Sequence, residues 1–250
     1  MDARIEEELR IARQIQLSLL PACPAAPGWT FSATYQAARE MSGDFYDFLF
    51  HAMPQGRLEL VVGDVTGKGV PAALMMAHSR AVIRAQAVHS AGPAELLMDT
   101  NRTLTEDSQA RLFLSALYAR LEIGSGVVTY ANAGHDRPLL VRHDSDAVAE
   151  LDAPGVILGA FPDIGLEDCV VQLAKGDTLV FYTDGVTEAR DEAGSLFGDE
   201  RLAAAVLAAT SAGGDAVAVS RSIMEAVADF SGGAAQADDL TLVILQRRPD

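Results

Sequence analysis

The sequence predicts an α+β fold in which layered sheets are covered by helices. Two observations carry this. Strand-like runs sit back to back across short turns such as Ile123-Gly-Ser-Gly126, the pattern of antiparallel hairpins. Helix-like runs arrive in pairs, at 70–90 with 93–107 and at 199–209 with 214–230. A doubly wound parallel sheet would alternate strand and helix instead.

Taken in order, residues 2–20 read as a helix. Ile5, Leu9, Ala12, Gln16 and Leu19 follow spacings of four and three, with Glu and Arg between them. That is a coiled-coil-like seam, shorter than the ~3–4 heptads of a committed one. Packing on its own domain and pairing in a dimer stand as equal readings. Pro21-Ala-Cys-Pro-Ala-Ala-Pro-Gly28 breaks the helix and reads as a linker, so residues 1–28 form an N-terminal helix and linker, and 29–250 one body. Within that body, strands are expected at 30–36, 44–50, 58–63, 112–122, 126–132, 138–142, 168–173, 177–183 and 240–246. Pro71 and Pro93 suit the first turns of the paired helices at 70–90 and 93–107. No internal repeat is visible.

Composition narrows the function. The 250 residues can bury a sizeable core. A net charge of −16 argues against a nucleic-acid or anionic-membrane partner, which would demand clustered Lys and Arg. Cys23 and Cys169 make no disulfide framework, so a reducing cytoplasm is expected. No apolar run approaches the ~20 residues of a membrane span, and the N-terminus is acidic rather than signal-like.

The chemistry lies in aspartates. Four segments share one design, an apolar strand meeting an Asp beside Gly or a turn: Met41-Ser-Gly-Asp-Phe-Tyr-Asp47, Leu60-Val-Val-Gly-Asp-Val-Thr-Gly-Lys-Gly69, Val180-Phe-Tyr-Thr-Asp-Gly185 and Ala237-Asp-Asp-Leu-Thr-Leu242. Any one alone is an ordinary turn. Four against buried strands point to carboxylates that would repel unless a cation lay between them. Hard oxygen ligands suit Mg²⁺ or Mn²⁺, and no Cys/His cluster suggests zinc. Gly63–Gly69 has neither the spacing nor the Ser/Thr of a P-loop. Tyr182 stands where a haloacid-dehalogenase-type phosphatase needs its nucleophilic Asp. Trp29 and Lys175 stand where a cysteine phosphatase needs Arg. With no covalent nucleophile in view, metal-activated water is the expected attacker.

Ile11-Ala-Arg-Gln-Ile-Gln-Leu-Ser-Leu-Leu-Pro21, Ser42-Gly-Asp-Phe-Tyr-Asp-Phe48, Gly63-Asp-Val-Thr-Gly-Lys-Gly-Val-Pro-Ala-Ala-Leu74, Asn132-Ala-Gly-His135, Tyr182-Thr-Asp-Gly-Val-Thr-Glu-Ala189 and Asp238-Asp-Leu-Thr241 together resemble the RsbU/SpoIIE group of bacterial PPM (protein phosphatase 2C-like) phosphatases. The motifs stand in the family's order over nearly the whole chain. The resemblance implies a four-layer α-β-β-α sandwich of two antiparallel sheets, with two Mn²⁺ or Mg²⁺ ions at one edge. It implies that Asp64 bridges both ions, with a backbone carbonyl contributed at Val65. Asp184 and Asp238 would bind the first ion, and Asp44 a metal or its water. Asp239 would be a further ligand, and Asp47 either structural or the holder of an extra ion. His135 reads as a turn residue rather than a general acid. Ser42 replaces a usual Gly, and the phosphate-gripping arginine of eukaryotic relatives has no counterpart here.

The resemblance further implies a serine/threonine protein phosphatase acting on a phosphorylated STAS-domain anti-sigma-factor antagonist in a partner-switching pathway. A homodimer or regulator would dock through the 2–20 and 70–90 helices. The chain is expected to be a lone catalytic domain, a catalytic fragment or a subunit under a separate partner. The competing classes are a pseudo-phosphatase that keeps the fold and binds a partner, and a generic metal-dependent hydrolase of small phosphoesters.

Overall fold

The computed structural model describes residues 3–49, 56–107 and 112–249. Residue 2 of the expected first helix, residue 50 of the expected second strand and His51 lie outside them. The elements follow in the order α1 (Ala3–Leu19), β1 (Trp29–Gln36), β2 (Phe45–Leu49), β3 (Arg57–Val65), α2 (Val70–Gln86), α3 (Pro93–Asp107), β4 (Leu114–Glu122), β5 (Val127–Ala133), β6 (Leu139–Val141), β7 (Val148–Glu150), β8 (Cys169–Gln172), β9 (Thr178–Tyr182), α4 (Asp184–Thr187), α5 (Gly198–Ser211), α6 (Ala216–Ser231) and β10 (Leu240–Arg247).

Every expected strand and helix is present, and the differences have local causes. α2 stops at Gln86, short of the expected 90. Gln86 O there accepts the N–H groups of His89 and Ser90, turning the chain back towards α3. α6 begins at Ala216 rather than 214 because Asp215 is its N-cap, accepting the Ala218 N–H at 2.9 Å. β7 and α4 were not anticipated. Three and four residues are too few to display a period.

Two five-stranded sheets form, ordered β1-β10-β9-β6-β7 and β2-β3-β4-β5-β8, and every pairing is antiparallel. Strand alternation sorts the apolar residues into three cores. Leu58, Leu60 and Val62 of β3 meet Leu179 and Phe181 of β9 and Val243 and Leu245 of β10 between the sheets. On its other face the second sheet sets Val61 and Tyr118 against Met76 and Ile83 of α2 and Leu97 and Leu104 of α3. The first sheet sets Val180 and Ile244 against Leu202 and Val206 of α5 and Val219 and Ile223 of α6. The expected four-layer α-β-β-α sandwich is the observed architecture. No helix among the described residues is long and apolar enough to cross a membrane.

Candidate metal centre

Strand parity brings the site together. Asp64 extends the inward row Leu58-Leu60-Val62 of β3 by one step, so it leaves the inter-sheet core at its edge. Asp44 does the same ahead of Tyr46 and Phe48 on β2. From the opposite sheet, Thr183 follows Leu179 and Phe181, and Thr241 precedes Val243 and Leu245. The four meet across the gap. Asp44 Oδ2 accepts hydrogen bonds from Thr183 Oγ1 at 2.6 Å and Thr241 Oγ1 at 2.8 Å. Thr183 Oγ1 in turn accepts the Thr241 N–H at 3.0 Å. The Asp44 N–H donates to Ser42 Oγ at 3.0 Å, so Ser42 pins the turn.

Backbone approach sets the rest. Val65 N–H donates to Gly43 O at 3.3 Å, and a β-carbon on Gly43 would stand 2.6 Å from the Val65 carbonyl. Only glycine lets the β2 approach come this close to the carbonyl expected as a ligand. Asp184 opens the single turn of α4, with Thr183 as N-cap residue. A β-carbon on Gly185 would collide with the Asp239 carbonyl, so Gly185 seats Asp184 against the start of β10. There Asp238 Oδ1 accepts the Asp239 N–H at 3.0 Å, and Oδ2 accepts Lys68 Nζ at 2.8 Å.

The carboxylates feel one another. Burial, then the charge of Asp64, holds the Asp44 carboxyl well above the usual carboxylate range. Asp64 is also raised, chiefly by burial, with Asp238 and Asp239 adding repulsion; Asp44 lies within its hydrogen-bonding reach. Burial and the nearby Asp64, Asp136, Asp238 and Glu188 push Asp184 up to about 7. Asp136 rises to about 6, through burial and the charges of Asp199, Asp64 and Glu188. A cavity of about 570 Å³ opens over this cluster, lined by Asp64, Asp136, Asp184, Glu188 and Asp199 among others.

A donor set of crowded carboxylates suits a hard divalent cation, whose charge would reverse these upward shifts. Among the described residues no three Asp, Glu, His or Cys side chains close into a single ligand set.

Two of the singled-out aspartates also hold the fold together. Asp239 Oδ1 accepts the Ala38 N–H at 2.7 Å and Oδ2 the Gly43 N–H at 3.3 Å, tying the 37–43 loop to β10. Asp47, fully buried, is paired with Arg84 at 2.7 Å and Arg80 at 3.0 Å, both from α2; of the two roles open to it, the structural one is observed. His135 sits in the expected turn but is buried, with Nδ1 2.9 Å from Ser115 Oγ and, among the described residues, no hydrogen-bond partner at Nε2. Burial drops its pKa to about 4, so the ring is neutral at neutral pH. Sequence reasoning assigned no role to Thr183, Thr241, Asp136 or Lys68. The only signal for the threonines was their place in the inward rows.

The model of the family described as Stage II sporulation protein E (SpoIIE) matches residues 54–248. Phosphoserine phosphatase RsbU of Bacillus subtilis (strain 168) is 31% identical over 193 residues, covering 77% of this chain and 57% of that protein. Among solved structures, the RsbU and RsbW domains of a Mycobacterium tuberculosis protein superpose with a TM-score of 0.76 at 30% identity, over 91% of this chain and 62% of the other. The SiaA PP2C domain of Pseudomonas aeruginosa gives a TM-score of 0.84 at 24% identity, over 98% and 99%, a likeness of fold. The chain spans about half the length of the curated relatives it matches, 57%, 41% and 46% of them.

Proposed function

The chain belongs to the SpoIIE family, and from that premise we propose that it is a metal-dependent serine/threonine protein phosphatase. One observation carries this reading. Asp44 and Asp64 from one sheet and Asp184 and Asp238 from the other crowd onto a single edge beside an open cavity, with Asp44, Asp64 and Asp184 all pushed above the ordinary carboxylate range. Such repulsion is tolerated where a cation is to bind.

Bound Mn²⁺ or Mg²⁺, two ions per site, would supply an activated water and absorb charge on the phosphoryl oxygens. Asp64, Asp184, Asp238 and the Val65 carbonyl would hold them, and Asp239 would add to that set while anchoring its loop. Asp44, fixed by Thr183 and Thr241, would orient a ligand or a water. The buried, neutral His135 braces Ser115, the residue opposite Asp64 in the β3–β4 ladder.

The substrate of this reading is phosphoserine or phosphothreonine on a STAS-domain protein of a cytoplasmic partner-switching pathway. The similarity to a protein named phosphoserine phosphatase supports phosphoserine as the group cleaved. The deciding experiment incubates the full chain with a phosphorylated STAS protein and with an aryl phosphate, each with Mn²⁺ and with chelator. Release of phosphate from both, only with metal, is expected. Turnover of the aryl ester alone would indicate a small-phosphoester hydrolase. Binding of the phosphoprotein without turnover would indicate a pseudo-phosphatase.

A further inference from the structure

The cavity presents a phosphate-binding problem. Asp64, Asp136, Glu150, Asp184, Glu188 and Asp199 line it, and a phosphoester is itself an anion. Arg137 lines the cavity, and Lys68, outside that lining, pairs with Asp238 at its edge.

Arg137 is already paired twice, with Glu150 at 3.4 Å and Asp152 at 3.3 Å. Lys68 is differently placed. It follows Asp64 by four residues and reaches across to the other sheet. Its Nζ donates to Asp238 Oδ2 at 2.8 Å and to the Ala237 carbonyl at 2.9 Å. Its charge is also felt at Asp64, where it opposes the upward shift. One ammonium thus borders both strand ends that carry the expected ligands.

We propose that Lys68 is the phosphate-gripping residue of this site: its ammonium leaves Asp238 and takes a phosphoryl oxygen of the substrate. The inference rests on the phosphatase reading above. The Lys68–Asp238 pair is exposed, with the two side chains 42% and 36% accessible. Exposed pairs contribute little net stability, so release costs little. A divalent cation on Asp238 would weaken the carboxylate's attraction further. Lysine suits this role because a compact charge on a four-carbon stem can follow the phosphoryl group as a point charge.

The test measures phosphate and metal separately. Mn²⁺ is titrated calorimetrically into metal-free wild type, Lys68→Ala, Lys68→Arg and Arg137→Ala, and inorganic phosphate is titrated into each Mn²⁺-loaded protein. Lys68→Ala is expected to weaken phosphate binding about tenfold, the loss of one charge-assisted hydrogen bond, with Mn²⁺ affinity held within about twofold. Lys68→Arg should keep most of the phosphate affinity, which also guards against misreading a folding defect. In aryl phosphate turnover, product inhibition by phosphate should weaken in parallel and KM should rise. Unchanged phosphate affinity in Lys68→Ala overturns the proposal. So does a parallel fall in Mn²⁺ affinity, which would make Lys68 a positioning residue for Asp238, or a loss seen in Arg137→Ala alone. A wild type without metal-dependent turnover defeats the phosphatase reading instead, whereas an active wild type with an unimpaired Lys68→Ala defeats only this one.

Discussion

Asp44 is 3% exposed, and three hydrogen bonds fix its carboxyl and its backbone N–H. Partners of this kind commonly hold a ligand's angle, and losing one costs roughly 10–100-fold in metal affinity. Thr241→Val keeps the shape and removes one donor. It should weaken Mn²⁺ binding about tenfold, read by calorimetry, with little loss of fold. Asp64→Asn removes charge from the expected bridging position and should lower Mn²⁺-dependent turnover at least about a hundredfold. Undiminished turnover in that variant would falsify the two-ion site. The same crowding sets a pH dependence in the metal-free protein. Asp184 titrates near 7 in the fold against an ordinary value of 3.8. Below 4 it is protonated in both states and costs nothing. Between 4 and 7 the unfolded chain gives up its proton first, so stability falls as pH rises and levels off above about 7. The melting temperature should therefore drop from pH 5 to pH 7.5, about 2–4 °C per kcal/mol for a domain of this size. Mn²⁺ or Asp184→Asn should flatten that slope. The aspartates themselves were legible in the sequence, because each sits in a short motif at a strand end. The threonine partners were not, since their role depends on which rows of two distant strands face each other.

Helix α2 leaves directly from the Asp64 loop, and its placement is set by an ion cluster as well as by packing. Arg80 and Arg84, one turn apart, both engage Asp47 on β2. Burial pushes Asp47 up while the two guanidiniums oppose it, so the arginines keep a buried charge tolerable. Removing one member of such a cluster leaves the other charges uncompensated. Asp47→Ala is expected to cost about 3–5 kcal/mol in chemical denaturation. Glu122→Ala, which breaks the exposed Arg57 pair at 2.9 Å, should cost about 1 kcal/mol or less. Equal losses in the two variants would mean that Asp47 is not a clamp. The sequence showed a helix at 70–90 with a broad apolar face, and Met76 and Ile83 do enter the core. It could not show that Asp47, one letter in an aspartate-rich motif, anchors the helix, because its partners Arg80 and Arg84 stand some 35 residues downstream. The short α4 was hidden for another reason: Asp184-Gly185 reads as a turn, and the helical turn is built by packing against Asp239.

For the whole molecule the open question is what α1 does. The expected seam only partly faces the body. Leu9, Ala12 and Leu19 are half-buried and Gln16 is buried, whereas Ile5 is 48% exposed. Gln16 holds the docked end through two bonds to Ser42. Its Nε2 donates to the Ser42 carbonyl at 2.7 Å, and its Oε1 accepts the Ser42 N–H at 3.2 Å. Ser42 in turn caps the Asp44 N–H, so the helix is two links from a site carboxylate. Away from the docked face, Ile11 and Ile15, one turn apart, are exposed at 44% and 60%, and Leu17, on a different face, at 43%. The two isoleucines form an apolar strip that a second chain could cover. An isolated helix of this length is marginal in water, so docking, not propensity, must hold it. Deleting residues 1–20 should therefore change specific activity and mass per particle more than it changes the fold. Gln16→Ala should separate the two effects. It cuts the link to Ser42 and leaves the isoleucines in place, so it should lower activity, and Mn²⁺ affinity with it, at unchanged mass. Light scattering, calorimetry and phosphatase assays on the full chain, the truncation and Gln16→Ala decide the matter. Equal mass and equal turnover in the full chain and the truncation would leave α1 as a patch over an apolar surface, its loss felt only in solubility and melting temperature.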